Sequence, residues 1–160
     1  MIIRTATPND LDEISRLEVK CFPPSEAESR EVFSDRLKYY PSHFWLMFDG
    51  RKLVSFIDGL STDERNFSDE MFFHSELHDE SGQWQIIIGV NTHPDYRGRG
   101  CAGKLLRRVI SDSRENGRKG IVLICKKNLL GWYSGFGFVN EGLSSSRYGG
   151  AVWYQMRLRF

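Results

Sequence analysis

The stretch Val90–Leu106 (VNTHPDYRGRGCAGKLL) gathers residue types that can hold a polyanion. Val90, Asn91 and Thr92 read as the end of a strand, and His93-Pro94-Asp95 as a break. Arg97-Gly98-Arg99-Gly100-Cys101-Ala102 follows as a glycine-rich, doubly basic turn. Apolar residues at Ala102, Leu105, Leu106, Val109 and Ile110 then recur at helical spacing, with Gly103 inside the first turn. The first amides of a helix have no internal acceptor, and the helix dipole favours negative charge there. Gly98 and Gly100 let the backbone approach a phosphate without a Cβ in the way. A pyrophosphate is the ligand this pattern predicts.

Arg97-x-x-Gly100-x-Ala102 matches the R/Q-x-x-G-x-G/A signature of the GCN5-related N-acetyltransferases (GNAT superfamily). About thirty residues on, Leu130–Phe138 (LGWYSGFGF) resembles that family's tyrosine-bearing helix and F-G-F turn. Cys21–Ala27 (CFPPSEA), Gly50–Gly59 (GRKLVSFIDG), Leu123–Cys125 and Trp153–Met156 look like the serotonin (arylalkylamine) N-acetyltransferase branch. The resemblance implies an acetyl-CoA-dependent N-acetyltransferase working without metal and by direct transfer in a ternary complex. It implies that Arg97, Gly98, Arg99, Gly100, Cys101, Ala102 and Gly103 bind the pyrophosphate. Val90, Asn91 and Thr92 would hold the thioester and pantetheine, and Tyr133 would be the general acid. One departure is plain: the branch carries two histidines on the strand before the loop, and Ile86 and Ile88 stand at the matching positions.

Transfer to an amine needs a bound thioester, a polarised carbonyl, a neutral amine and a proton for the departing thiolate. A free backbone N–H at the Val90–Thr92 strand end would polarise the carbonyl, worth a few kcal/mol as charge develops. Gly89 would ease a bulge there, or else pack beneath an aromatic ring. For Tyr133, a phenol at ~10 donating to a thiolate near 8.5 is uphill by ~2 kcal/mol in water. Without the resemblance, Trp132, Tyr133, Phe136 and Phe138 read as a packed aromatic cluster. An alkylamine near 10.4 is almost wholly protonated at neutral pH, so a base is required. Glu26, in the loop that roofs the acceptor pocket in the related branch, and His74 are the candidates, with Glu76 and His78 behind them. A desolvated pocket could equally lower the amine's own pKa. The acceptor predicted is a small primary amine, then a protein N-terminus or lysine. The alternative is a catalytically degenerate acyl-CoA sensor. Cys101 and Cys125 read as small hydrophobes without a nearby base, not as nucleophiles.

The whole chain has 160 residues, 40% of them apolar, which suits one domain over residues 1–160 with a substantial core. A net charge of +1 argues against nucleic acid. No run approaches a membrane span or a signal peptide. Three cysteines without metal-ligand spacing suit the reducing cytoplasm, and four scattered histidines form no zinc pattern. Acidic residues crowd Asp58–Glu80 and basic ones Arg97–Lys127, a division that would favour an anionic cofactor beside a cationic amine. Monomer and homodimer both stay open.

The elements that must position these groups follow from periodicity and punctuation. Met1–Thr5 predicts a strand. A helix capped at Thr7 or Asn9 runs to about Cys21, and a second from a Ser25 cap, boxed with Glu28, runs to about Lys38. Phe44–Phe48 and Lys52–Leu60 form a hairpin across Asp49-Gly50. Ser61–Glu80 reads as an irregular excursion, Gln83–Asn91 as the central strand and Gly98–Glu115 as the cofactor helix. Ile121–Cys125 is a buried strand, Asn128–Gly135 a short helix, and Phe138–Glu141 and Ala151–Leu158 close the fold. Together they predict an α/β domain: a mixed, mostly antiparallel sheet of six to seven strands with about four helices.

Overall fold

The computed structural model describes residues 1–160. In chain order the elements are β1 (Ile2–Thr5), α1 (Leu11–Cys21), α2 (Arg30–Tyr39), β2 (Phe44–Asp49), β3 (Lys52–Asp58), β4 (Ser61–Thr62), α3 (Glu70–Phe73), β5 (Trp84–Ile87), β6 (Gly89–Thr92), α4 (Cys101–Glu115), β7 (Gly120–Cys125), α5 (Leu130–Ser134), β8 (Val139–Leu143) and β9 (Tyr154–Arg159). The expected α/β class holds. The strands divide into a four-stranded and a five-stranded sheet, where the sequence suggests one sheet. No helix is long and apolar enough to cross a membrane.

The chain forms two compact units. The first comprises Met1–Gly59 and Gly89–Ser111. Its sheet is antiparallel throughout, in the order β1-β2-β3-β6. The β2–β3 hairpin turns at Gly50, whose φ of +60° is the left-handed region a glycine tolerates. β2 and β3 are buried almost along their full length, which is why they read as continuous apolar runs rather than alternating ones. Phe33 on α2 meets Phe44 and Phe56 edge-on at ring-centroid distances of 6.2 and 5.9 Å. With Ile14, Leu17, Leu37 and Leu46 these rings make the first core.

The second unit comprises Leu60–Ile88 and Asp112–Phe160. Its sheet runs β4-β5-β7-β9-β8, with β5 and β7 parallel and the other neighbours antiparallel. Ile86, Ile121, Val122, Leu123 and Met156 are wholly or almost wholly buried in it. Gly120 is required by close approach: a Cβ there would lie 2.0 Å from the Leu158 carbonyl oxygen.

Three expectations change. The second helix is capped by Ser29, whose hydroxyl accepts the Val32 N–H at 3.2 Å, and not by Ser25. Glu28 lies buried, its N–H donated to Glu18 Oε2 at 2.9 Å. The excursion after Ser61 carries β4, α3 and a 3-10 turn at Ser75–Leu77. The strand expected over Gln83–Asn91 breaks at Ile88 into β5 and β6, which belong to different sheets. Gly89 is where the new strand starts. A Cβ there would fall 2.8 Å from Asp58 Oδ1, so a larger residue would have to displace that carboxylate, and its neighbours are Asp58 and Asn91 rather than an aromatic ring.

Candidate active site

β6 supplies the first part of the site. Its register with β3 pairs Gly89 with Asp58, Val90 with Ile57, Asn91 with Phe56 and Thr92 with Ser55. The His93 N–H bonds the Val54 carbonyl at 2.8 Å. Bonded and non-bonded pairs alternate along an antiparallel ladder, so Gly89 and Asn91 turn their backbone groups toward β3. Val90 and Thr92 turn theirs to the outer edge of this four-stranded sheet, where β6 is the last strand. The Thr92 carbonyl accepts Cys21 Sγ and Arg97 Nε, each at 3.3 Å. Edge N–H groups at Val90 and Thr92 and the Val90 carbonyl are the groups a strand-like ligand or a thioester oxygen would use.

Asn91 behaves differently from its neighbours. Its side chain is fully buried, its carbonyl accepts the Ser55 hydroxyl at 2.6 Å, and neither Oδ1 nor Nδ2 has a hydrogen-bond partner. It faces the interior with Gly89 and supports the strand from behind.

The loop follows. His93 Nδ1 accepts the Asp95 N–H at 3.1 Å, which shapes a 3-10 turn over Pro94–Tyr96. Arg97 is extended and exposed. Gly98 and Gly100 both have φ of +77°, a conformation that resists any side chain. The Arg99 guanidinium lies over the Tyr96 ring, 4.9 Å from its centroid, and Tyr96 Oη donates to Asp49 at 2.7 Å. The Lys104 N–H to the Gly100 carbonyl, 3.1 Å, is the first turn of α4. The amides of Cys101, Ala102 and Gly103 precede it and have no carbonyl of the helix to bond. Cys101, Leu105, Leu106 and Val109 anchor α4 through its buried face. Two cations, two left-handed glycines and a helix start thus present a solvent-open anion cradle.

Tyr133 lies on α5 in the second unit and is 5% exposed. Trp132 and Phe138 pack edge-on against its ring at 4.9 and 5.8 Å. Burial, with the Cys125 thiol beside it, pushes the phenol well above its ordinary range. Burial also raises the Cys125 thiol, to about 11. Tyr133 therefore stays protonated at neutral pH, and the burial that raises it makes it a weaker acid than a free phenol. The packed aromatic cluster that the sequence also suggests is present.

The base candidates are less favourably built. His74 is exposed, 3.0 Å from an equally exposed Glu76. His78 Nδ1 accepts the Ser61 N–H at 3.0 Å, and its Nε2 is 3.1 Å from Glu80. Glu26 is half-buried in the turn after Pro23 and belongs to the first unit, whereas the three others belong to the second. Ile86 is wholly buried on β5, and Ile88 lies at the break after it.

Sequence reasoning missed a buried charge cluster behind β6. Arg36 on α2 is 1% exposed; its Nη1 donates to Asp58 Oδ2 at 3.1 Å, and its Nη2 lies 3.8 Å from Glu28 Oε1. Glu18 joins through the Glu28 N–H. Burial pushes Glu18 up to about 7, with Asp58 nearby adding to the effect. Burial raises Asp58 to about 6 despite Arg36, so it stays ionised against the guanidinium at neutral pH. Of the two, Glu18 is the carboxyl pushed higher. Helical spacing sets Glu18 in line with Leu11, Ile14 and Leu17, but nothing in the local sequence says which charges meet inside.

The residues 2–139 match the family model described as an acetyltransferase (GNAT) domain. No curated protein matches by sequence. Among solved structures, the chain resembles the GphF GNAT-like decarboxylase in complex with isobutyryl-CoA at 20% identity and a TM-score of 0.86, over 99% of each chain. It resembles the loading GNATL domain of CurA from Lyngbya majuscula at 16% identity and 0.85, over 99% of this chain and 96% of that one. The ribosomal-protein-S18-alanine N-acetyltransferase from Escherichia coli gives 14% identity and 0.74, over 99% and 92%.

Proposed function

This chain belongs to the acetyltransferase (GNAT) family, and we propose that its 160 residues act as one acetyl-CoA-dependent N-acetyltransferase domain on a primary amine. One observation carries the proposal: the Arg97–Gly100 turn, with two left-handed glycines, leads from an edge strand into the unpartnered amides of α4. Arg97, Gly98, Arg99, Gly100, Cys101, Ala102 and Gly103 hold the pyrophosphate of the cofactor. Val90 and Thr92 offer their edge amides to the pantetheine and to the thioester oxygen, with Asn91 bracing them. The amine nitrogen attacks the carbonyl carbon, the C–S bond breaks, and the thiolate takes the Tyr133 proton. The phenolate is then reprotonated from solvent as the product amide loses its extra proton.

A small amine is the favoured acceptor, with a protein N-terminus or a lysine next. Glu26 and His74 are the groups we assign to amine deprotonation, Glu26 first because it is the less exposed. Three free thiols at Cys21, Cys101 and Cys125 suit a cytoplasmic setting.

A second possibility rests on Ile86, an apolar residue where the related branch has a histidine, together with the likeness to the GphF decarboxylase. Decarboxylation of an α-carboxyacyl-CoA needs no amine base. The Cα–carboxylate bond breaks, CO2 leaves, and the electron pair forms a thioester enolate that the Val90 N–H would stabilise. Protonation at Cα completes the step, and no thiol is released.

The test is turnover of acetyl-CoA with aryl- and alkylamines and lysine peptides, wild type beside Tyr133→Phe. Amine-dependent thiol release that falls ~10²–10⁴-fold in the variant supports transfer. CO2 from malonyl-CoA without thiol release favours the decarboxylase. Binding of acetyl-CoA with neither product leaves the non-catalytic sensor.

A further inference from the structure

A cleft of about 160 Å³ opens in the first unit beside the loop, between α1, the start of β3 and His93. Arg16 and Lys20 reach it from α1, Lys52 from β3, and His93 from the end of β6, with Leu17 as an apolar floor and Glu13 as its one acid. Four basic groups against one carboxylate make a site for a small anion. His93 is the built part. Its side chain is only 10% exposed, while Arg16, Lys20 and Lys52 are exposed. Because Nδ1 accepts the Asp95 N–H, the neutral ring carries its proton on Nε2, leaving that N–H as a donor fixed in the wall. A tetrahedral phosphoryl group matches a fixed imidazole donor surrounded by mobile cations, and the cleft is large enough for one.

We propose that this cleft binds a small phosphoryl anion, inorganic phosphate or a phosphomonoester, at a site separate from the Arg97–Gly103 cradle and coupled to it through His93. The coupling is local. The charged and titratable groups around His93 are Lys52 from β3, Glu13, Arg16 and Lys20 from α1, and Asp95, Tyr96 and Arg97 from its own turn. Burial with Lys52, Lys20 and Arg97 holds the imidazole below its ordinary value, and Asp95 opposes them. An anion among those cations removes their repulsion and lets the ring take a second proton. Protonated at Nδ1, the imidazole can no longer accept the Asp95 N–H. The Asp95 carboxylate, 3.9 Å away, becomes its partner instead. The turn that sets the position of Arg97 then changes its hydrogen bonding.

This proposal stands without the acetyl-transfer one, because the probe is a simple anion. Inorganic phosphate would be titrated into the full chain at pH 7.5 while the His93 ring and Asp95 amide resonances are followed by NMR. Saturable shifts at both are expected, weakened about tenfold or more in Lys20→Glu and in Arg16→Glu, each an exposed position, and within about twofold of wild type in Arg99→Ala. Sulfate, whose charge is constant over the range, should raise the His93 titration midpoint by about half a unit in wild type and leave the Lys20→Glu midpoint unmoved. Saturating CoA should leave the phosphate in place. Equal affinity in wild type and both charge-reversal variants, an unmoved midpoint in wild type, or displacement by CoA would each overturn the assignment.

Discussion

Arg36 and Arg97 belong to the same compact unit, and burial gives them opposite tasks. Arg97 is exposed on a turn of left-handed glycines, its Nε bonded to the Thr92 carbonyl. Arg36 is sealed beneath the sheet against Asp58 and Glu28. A guanidinium in water gives up little by turning to a ligand, so Arg97 suits recognition. A guanidinium inside the core is held by the charges that justify its burial, so Arg36 can only hold the fold. The same contrast separates the two sides of β6. Its outer edge presents amides at Val90 and Thr92, while its inner face buries Asn91 and approaches Asp58. The strand thus keeps one edge open while a charged interior packs against it from behind.

The largest effect should come from Arg36→Ala. It strands Asp58 and Glu28 in the core, and denaturant unfolding should show a loss of about 3–5 kcal/mol. CoA affinity of the folded fraction should hardly change; a mild loss of stability would break the contrast. Arg97→Ala should do the reverse. Calorimetry should show CoA binding weakened by about 1.5–3 kcal/mol, the worth of a hydrogen bond to a charged group, with stability within about 0.5 kcal/mol of wild type.

A smaller effect concerns Glu18. Its folded value of about 7 lies above its unfolded one, so the folded chain binds more protons across that interval. Stability from this group is complete below about pH 4.5 and is lost as pH rises through about 7. Glu18→Gln should flatten that decline and raise stability at pH 8 by about 1–2 kcal/mol, read from thermal melts across pH. An unchanged slope would remove Glu18 as the source of that decline.

Much of the candidate site was legible in the chain, and for local reasons. Arg97-x-x-Gly100-x-Ala102 and the helix after it are set by neighbours a few residues apart, as are the Asp49-Gly50 turn and the short helix at Tyr133. The Ser29 cap was missed because Ser25 with Glu28 offered an equally good local pattern. Only the burial of Glu28, which receives a partner ten residues away in Glu18, decides between them. The break at Ile88 was hidden because an apolar run looks alike in one sheet or two; Asp58, far away in sequence, crowds Gly89.

By itself, then, the sequence determined the glycine turn between Arg97 and Gly100, the helix after it, the short helix that carries Tyr133 and the α/β class. These follow from backbone freedom at glycine, periodicity and the unpaired amides of a helix start, all of which act over a turn or two. The tertiary structure alone decided that Asn91 faces inward, that Glu18, Arg36 and Asp58 share one buried cluster, and that His93 lines a basic cleft. Each depends on the cost of removing a polar group from water, which is fixed by whatever packs over it, and the Arg36–Asp58 pair comes from residues 22 apart.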